Sequence, residues 1–355
     1  MRVAVLLSGG VDSSVALHLA RSAGADQITA FYLKIWLEEE LAFLGDCPWE
    51  EDMTYVRAVC EQAGVPLEIV PLQTEYQERV VTHALSELKR GRTPSPDILC
   101  NQQIKFGLFF ERIGTGFDKV VSGHYAQVEQ CGETHLLKRS PDSVKDQTYF
   151  LSRLDQAQLR RIWFPIGHLT KGEVRKAAQR LDLPNRDRKD SQGICFLGKI
   201  KYAQFVRFHL GEKEGEIIDL DTGKRIGQHR GVWFHTVGQR QGLRLGGGPW
   251  YVVRKDLETN CLYVSHASRY LAHARSCFTV SDAHWISGNP SRLNLQTKLR
   301  HSPHLEDCVI RQVDENRWQV RLENKDQGVA PGQTAVFYDD NVCLGGGVIN
   351  GEACS

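Results

Sequence analysis

The chain has 355 residues, 41% hydrophobic and 25% charged, with 44 Lys and Arg against 43 Asp and Glu and a formal net charge of +1. That length predicts two or three domains with ample core, and the charge balance argues against non-specific nucleic-acid binding by the whole surface while leaving room for a local basic patch. The apolar runs are far too short to span a membrane, and ten cysteines without one CxxC pair speak against a structural zinc site or a thioredoxin-type motif.

In chain order, MRVAVLL carries one positive charge and no small-residue cleavage site, so it reads as a first strand, Val3–Leu7, and not as a signal peptide. Cytoplasm is the expected compartment. SGGVDSS follows at residues 8–14, and a helical pattern covers residues 12–23, with Val11, Val15 and Leu19 at i+4 spacing and Gly24 at its end. A strand that runs through paired glycines into a helix start presents free backbone N–H groups and the positive end of the helix dipole, which suit a phosphate or pyrophosphate. Gly9 and Gly10 permit close backbone approach, Ser8, Ser13 and Ser14 add hydroxyls, and Asp12 stands where it could hold magnesium against the anion. The loop is not a Walker A motif, which carries a lysine; a glycine turn before a helix also occurs for structural reasons alone.

Further strands are expected at Ile28–Trp36, Leu67–Leu72 and Lys119–Ser122, with helices at 50–63, 74–90 and 101–113 between them. This alternation predicts a parallel sheet covered on both faces, with ligands beyond the carboxyl ends of its strands. A hairpin is expected at residues 125–140, turning at Cys131–Gly132–Glu133. Thr170 and Glu173 form a capping-box pattern that opens a helix over 171–182. From about residue 212 glycine-rich turns and alternating strands such as Trp250–Arg254 and Trp318–Leu322 replace the helical signal. The expected division is 1–206, 207–273 and 274–355, the last a β-barrel.

Two cysteines lie in polar loops. Cys100 ends RTPSPDILC, with Asp97 three residues earlier as a proton acceptor and Asn101 expected to cap a helix, whose N-terminus would stabilise a thiolate. Cys195 lies in RDRKDSQGICFLG, where Arg186, Arg188 and Lys189 either lower a thiol pKa, meet a phosphate backbone, or are simply solvated. Each thiol read alone also fits a buried core residue. Cys47 and the other seven cysteines are read as structural.

SGGVDSS in full resembles the pyrophosphate loop of ATP pyrophosphatases, and by itself would also suit GMP synthetase or argininosuccinate synthetase. Taken with PSPDILCNQQIKF (94–106), SGHYAQV (122–128), KDQTYFL (145–151), FPIGHLTKGEVR (164–175), KDSQGICFLG (189–198), FHTVGQRQGL (234–243), GPWYV (248–252), APGQTAVFYDD (330–340) and LGGGVI (344–349), the chain resembles the bacterial tRNA-specific 2-thiouridylase family over nearly its whole length. Those enzymes place sulfur on carbon 2 of the wobble uridine.

The resemblance implies an α/β N-terminal pyrophosphate-loop domain with a Rossmann-like parallel sheet, then a small mainly β central domain and a C-terminal β-barrel. It implies that Leu6, Leu7, Ser8, Gly9, Gly10, Val11, Asp12 and Ser13 hold ATP phosphates, and that Leu33 and Gly123 form the adenine pocket. Asp97 would be acid/base in a target-base pocket with Ser95 and Pro96, Cys195 the persulfide carrier, and Cys100 the thiol that closes a disulfide with it. His124, Lys145, Asp146, Gln147, Arg300, His301 and Gln333 would touch tRNA. Implied partners are ATP with Mg2+, tRNA for Lys, Glu or Gln, and a persulfide donor from a cysteine-desulfurase relay, with the protein acting as a monomer. Ser95 stands where the family has asparagine and His301 where tyrosine is common; histidine still stacks on a base. A related adenylating ligase or amidotransferase using nitrogen would need neither cysteine, and a non-catalytic RNA-binding protein would release no pyrophosphate.

Overall fold

The computed structural model describes residues 1–35, 49–190 and 201–351. Cys47, Cys195, Cys354 and Trp36, the expected end of the second strand, lie outside them.

Apolar residues on both faces of a strand require cover on both sides, and the first strand shows how this is met. In β1 (Arg2–Leu6) Val3 and Val5 pack with the helix α1 (Val11–Ser22), the helix Trp49–Ala63 and the helix Lys171–Arg180. Ala4 and Leu6 face the other way, onto Phe106, Phe109 and Phe110. β2 (Gln27–Lys34), β3 (Leu67–Pro71), β4 (Lys119–Val121) and a two-residue strand at Ile162–Trp163 complete a wholly parallel sheet, in the order β3-β2-β1-β4 and then that short strand. The chain leaves β1 toward β2 and β3, then returns to the opposite side of β1 as β4. The crevice beyond the carboxyl ends of β1 and β4 is therefore the topological switch point, where such sheets hold ligands.

Two helices depart from the expected geometry. The expected 74–90 helix spans residues 73–89 and contains a π-helical run at Gln77–Val81. The expected 101–113 helix begins earlier, at Pro96, whose missing N–H costs nothing in the first turn, and includes a longer π-helical run at Cys100–Leu108. The Thr170 capping box forms as read, with each backbone N–H answered by the other residue's side chain.

The central region is a four-stranded sheet around Ile217, Leu243, Val252, Leu262 and Val264. Beyond it, six strands between Arg275 and Ile349 close into a barrel, because the strand Arg275–Trp285 pairs with the strand Val342–Ile349 as well as with Trp318–Asp326. Phe278, Val280, Ile310, Trp318, Val320 and Phe337 fill the barrel. The expected hairpin forms at Ala126–Cys131 and Thr134–Arg139, yet it extends the barrel's sheet: Leu137 pairs with Cys343 and Lys138 with Val342. Local alternation specified the hairpin, while its choice of partner is a long-range fact. Among the described residues no helix is long and apolar enough to cross a membrane.

Candidate functional site

The loop after β1 carries a positive φ of 75° at Gly9, and a side chain there would strike Arg188 and the backbone of Asp52. No side chain caps the start of α1, so its first-turn N–H groups stay open to an anion. Ser13 and Ser14 turn their hydroxyls onto the Gly10 carbonyl at 2.9 and 3.1 Å. Buried Asn185 donates to the Gly9 carbonyl at 2.8 Å and to the Ser14 hydroxyl at 2.9 Å, tying the loop to a segment 176 residues away. Leu6 and Leu7 are buried, their side chains in the cores on the two faces of the sheet. Gly123, at the end of β4, closes that crevice: a Cβ there would lie 2.6 Å from the Ser13 nitrogen. Leu33 sits half-buried near the carboxyl end of β2.

Charge concentrates beside this loop. Asp12 accepts from the Tyr125 hydroxyl at 2.9 Å and from the Lys171 ammonium at 2.7 Å. Burial first, and the Asp12 charge second, push the Tyr125 phenol far up, so it stays a donor. Lys171 also reaches Asp190 at 2.8 Å, where Lys145 at 2.7 Å and Arg175 at 2.5 Å converge. Burial would raise the Asp190 carboxyl, but Lys145 and Lys171 outweigh it and hold it well below the usual range. Among the described residues no cluster of three His, Cys, Asp or Glu side chains could hold a metal on its own.

Cys100 corrects the reading of its segment. Because the helix starts at Pro96, Cys100 lies a full turn inside it and Asn101 is no cap; its side-chain amide instead donates to the Phe150 carbonyl at 3.1 Å. The thiol is buried among Leu72, Tyr76 and Ile104, and burial pushes it up to about 11, with Lys105 pulling the other way. The expected activated thiolate is thus absent in this conformation. Asp97, half-buried, is one turn earlier on the same helix. Cys60, Cys261, Cys308 and Cys343 are buried free thiols, Cys131 is an exposed one, and Cys277 is disulfide-bonded rather than free.

The residues expected to meet RNA converge around the segment 145–150, although not all face outward. The Asp146 carboxylate is fully buried, held by Lys298 at 2.7 Å and by Arg139 at 3.3 Å, which corrects the expectation that it contacts RNA. Gln147 accepts from the Tyr125 backbone at 2.9 Å. His124 is enclosed between Phe106 and Phe164 and bonds Ser122, and burial keeps its ring well below its ordinary pKa and neutral. His301 lies against Phe150, with ring centroids 4.7 Å apart and planes 31° apart, while its Nε2 meets the Asp146 carbonyl at 3.1 Å. Arg300 forms a two-pronged pair with Asp326 at 3.0 and 2.9 Å. Gln333 neighbours Pro331, whose carbonyl accepts from the Thr93 nitrogen at 2.8 Å; Tyr149 beside it donates to the Thr334 carbonyl at 3.0 Å. Barrel residue His301 thereby meets the 146–150 segment, and Pro331 reaches Thr93, just ahead of the Ser95–Cys100 segment.

Lys171, Arg175, Asp190, Asn185 and Tyr125 were not singled out from the sequence. Four of them stand inside motifs already picked out, FPIGHLTKGEVR, KDSQGICFLG and SGHYAQV, which was the available signal; Asn185 had none.

Comparison with known proteins agrees with this architecture. Residues 1–199 match the family model of the tRNA methyl transferase HUP domain, 203–266 that of the tRNA methyl transferase PRC-barrel domain, and 275–349 that of the aminomethyltransferase beta-barrel domain. The tRNA-specific 2-thiouridylase MnmA 1 of Bacteroides thetaiotaomicron is 46% identical over 98% of this chain and 99% of its own length. The tRNA-specific 2-thiouridylase MnmA of Parabacteroides distasonis is 43% identical over 99% of both chains. Among solved structures, an NMN synthetase from Francisella tularensis superposes with a TM-score of 0.32 at 16% identity, over 54% of this chain and 66% of that one, too weak a likeness to bear on function.

Proposed function

The chain belongs to the tRNA-specific 2-thiouridylase family, and from that premise we propose that it replaces the carbon 2 oxygen of the wobble uridine of tRNA with sulfur at the expense of ATP. The observation that carries the proposal is the convergence at one switch point: an open phosphate loop after β1 is joined through residues 145–150 to the Asp97–Cys100 helix and the barrel loops.

The proposed chemistry follows from leaving-group ability. A uracil carbonyl oxygen leaves poorly, so it first attacks the α-phosphorus of ATP, and pyrophosphate departs. Leu6–Ser13 would cradle the phosphates, with Leu33 and Gly123 at adenine. Magnesium would shield phosphate charge, with the Asp12 carboxylate placed to hold it. A persulfide on Cys195 then forms the carbon–sulfur bond through its terminal sulfur and expels AMP. Cys100, after losing its proton to Asp97, attacks the Cys195 sulfur; the persulfide S–S bond breaks, its electron pair stays with the transferred sulfur, and a Cys100–Cys195 disulfide forms. An external thiol reductant restores both cysteines, and a persulfide donor reloads Cys195. The raised Cys100 pKa supports a role gated by RNA binding, since the thiol is protonated and covered before a base arrives. Phe150 and His301 offer ring faces to a base taken out of its stack, with Ser95 and Pro96 alongside. Lys145, Gln147, Arg300 and Gln333 would contact the surrounding RNA. We read the protein as a cytoplasmic monomer.

The test is mass spectrometry of unmodified tRNA(Lys) incubated with ATP, magnesium, a persulfide donor and wild type, Cys100→Ala or Cys195→Ala. A gain equal to oxygen-for-sulfur exchange in wild type alone supports the reaction and both thiols. Pyrophosphate release without sulfur gain would favour a related adenylating ligase instead.

A further inference from the structure

The phosphate loop lacks something a polyphosphate needs. SGGVDSS contains no lysine, and an uncapped helix start supplies only about half a positive charge against several negative ones. The fold brings cations from far along the chain. Lys171 stands 159 residues from Asp12 in sequence and touches it. Lys145 and Arg175 gather on the same Asp190 carboxylate as Lys171, so three cations share one anion at the edge of the crevice.

These cations are held by structure that does not itself need the carboxylate. The Thr170 capping box fixes Lys171 at the first position of its helix, and Arg175 follows at i+4 on the same face. Asp142 binds the backbone nitrogens of Lys145 at 3.1 Å and of Lys171 at 3.0 Å, which sets the two lysines side by side. The arrangement is also exchangeable. Lys145 is 36% and Asp190 32% exposed, so water and solutes reach the pair, in contrast to the fully enclosed Asp146–Lys298 pair. A phosphate group carries more charge than a carboxylate and presents more acceptor oxygens to ammonium and guanidinium donors.

We propose that Lys171, with Lys145 and Arg175, forms the cationic wall of the phosphate site, and that Asp190 occupies that wall in the ligand-free protein as a carboxylate stand-in which nucleotide phosphate displaces. The proposal rests on the ATP reading above and assigns Lys145 to the nucleotide in addition to RNA. Lys171 acts as a ligand of the leaving pyrophosphate, and Asp190 neutralises the already gathered cations until substrate arrives.

Calorimetric titration of the full-length protein with inorganic pyrophosphate, ATP and adenosine tests it. Wild type that takes up neither ATP nor pyrophosphate overturns the nucleotide reading itself. Given wild-type binding, Lys171→Met should weaken pyrophosphate roughly tenfold or more, the scale of one charge-assisted contact, and Lys171→Arg should restore most of it. Asp190→Asn should tighten pyrophosphate several-fold, and adenosine should bind all variants alike. Lys145→Met serves as a second cation variant if Lys171→Met melts early by circular dichroism. Unchanged pyrophosphate affinity in the lysine variants overturns the cationic wall. A loss in Asp190→Asn as large as in Lys171→Met overturns the stand-in and makes Asp190 a fixed support.

Discussion

A thiol at a helix N-terminus ionises readily, whereas one turn further in, beneath Tyr76 and Ile104, it loses both the dipole and the solvent. With its pKa raised to about 11, Cys100 is neutral throughout the physiological range, and its thiolate fraction grows only as pH approaches that value. Iodoacetamide at pH 8 should therefore alkylate Cys100 at least tenfold more slowly than exposed Cys131, as read by peptide mass spectrometry; equal rates would contradict the buried thiol. The one-turn error arose because Asn101 is a good cap by residue type, and only the backbone shows that Pro96 starts the helix. Asp146 teaches the same lesson with charge. Flanked by Lys145 and Gln147 it reads as surface, yet it is sealed against Lys298, both side chains being 0% exposed. Lys298→Met leaves the buried carboxylate with neutral donors from Ser140 and Thr148 and with Arg139 at 3.3 Å as its cation, and should cost about 3 kcal/mol in denaturant unfolding, while adding Asp146→Leu should recover much of that loss. Additive losses would mean the pair is not coupled.

At the scale of elements, the phosphate site depends on the end of β4 meeting the start of α1 with no side chain between them. Gly123→Ala would place a methyl group 2.6 Å from the Ser13 nitrogen and 2.8 Å from the Asp12 carbonyl carbon, forcing the start of α1 away from β4. ATP affinity should fall at least tenfold by calorimetry with the circular dichroism spectrum retained, because the close contact is local; unchanged affinity would detach Gly123 from the nucleotide site. Strand and helix positions here were readable because Val3–Leu7 is uniformly apolar and α1 repeats at helical spacing. The π-helical runs at 77–81 and 100–108 were not readable, since an extra residue per turn leaves no mark in the apolar spacing of so short a segment.

For the whole molecule, the N-terminal domain and barrel share one core. Phe106, Leu137 and Tyr149 pack in the same cluster as Val336, Tyr338 and Cys343, and the 126–139 hairpin continues the barrel sheet. A chain ending at residue 206 should consequently expose that cluster and the edge of the hairpin, and should aggregate or bind a hydrophobic dye where the full chain does not; a clean soluble fragment would refute the shared core. The sequence by itself determined the alternating strands and helices, the glycine loop after β1, the Thr170 cap and the all-β second half, because each is written in neighbouring residues whose spacing and chemistry act locally. Only the tertiary structure decided that Lys171 meets Asp12, that Asp190 gathers three cations, that Asp146 is buried and that barrel loops reach Thr93 and the 146–150 segment. Those are contacts between residues up to more than a hundred positions apart, fixed by how whole faces pack, and no local pattern encodes which distant face a given side chain will meet.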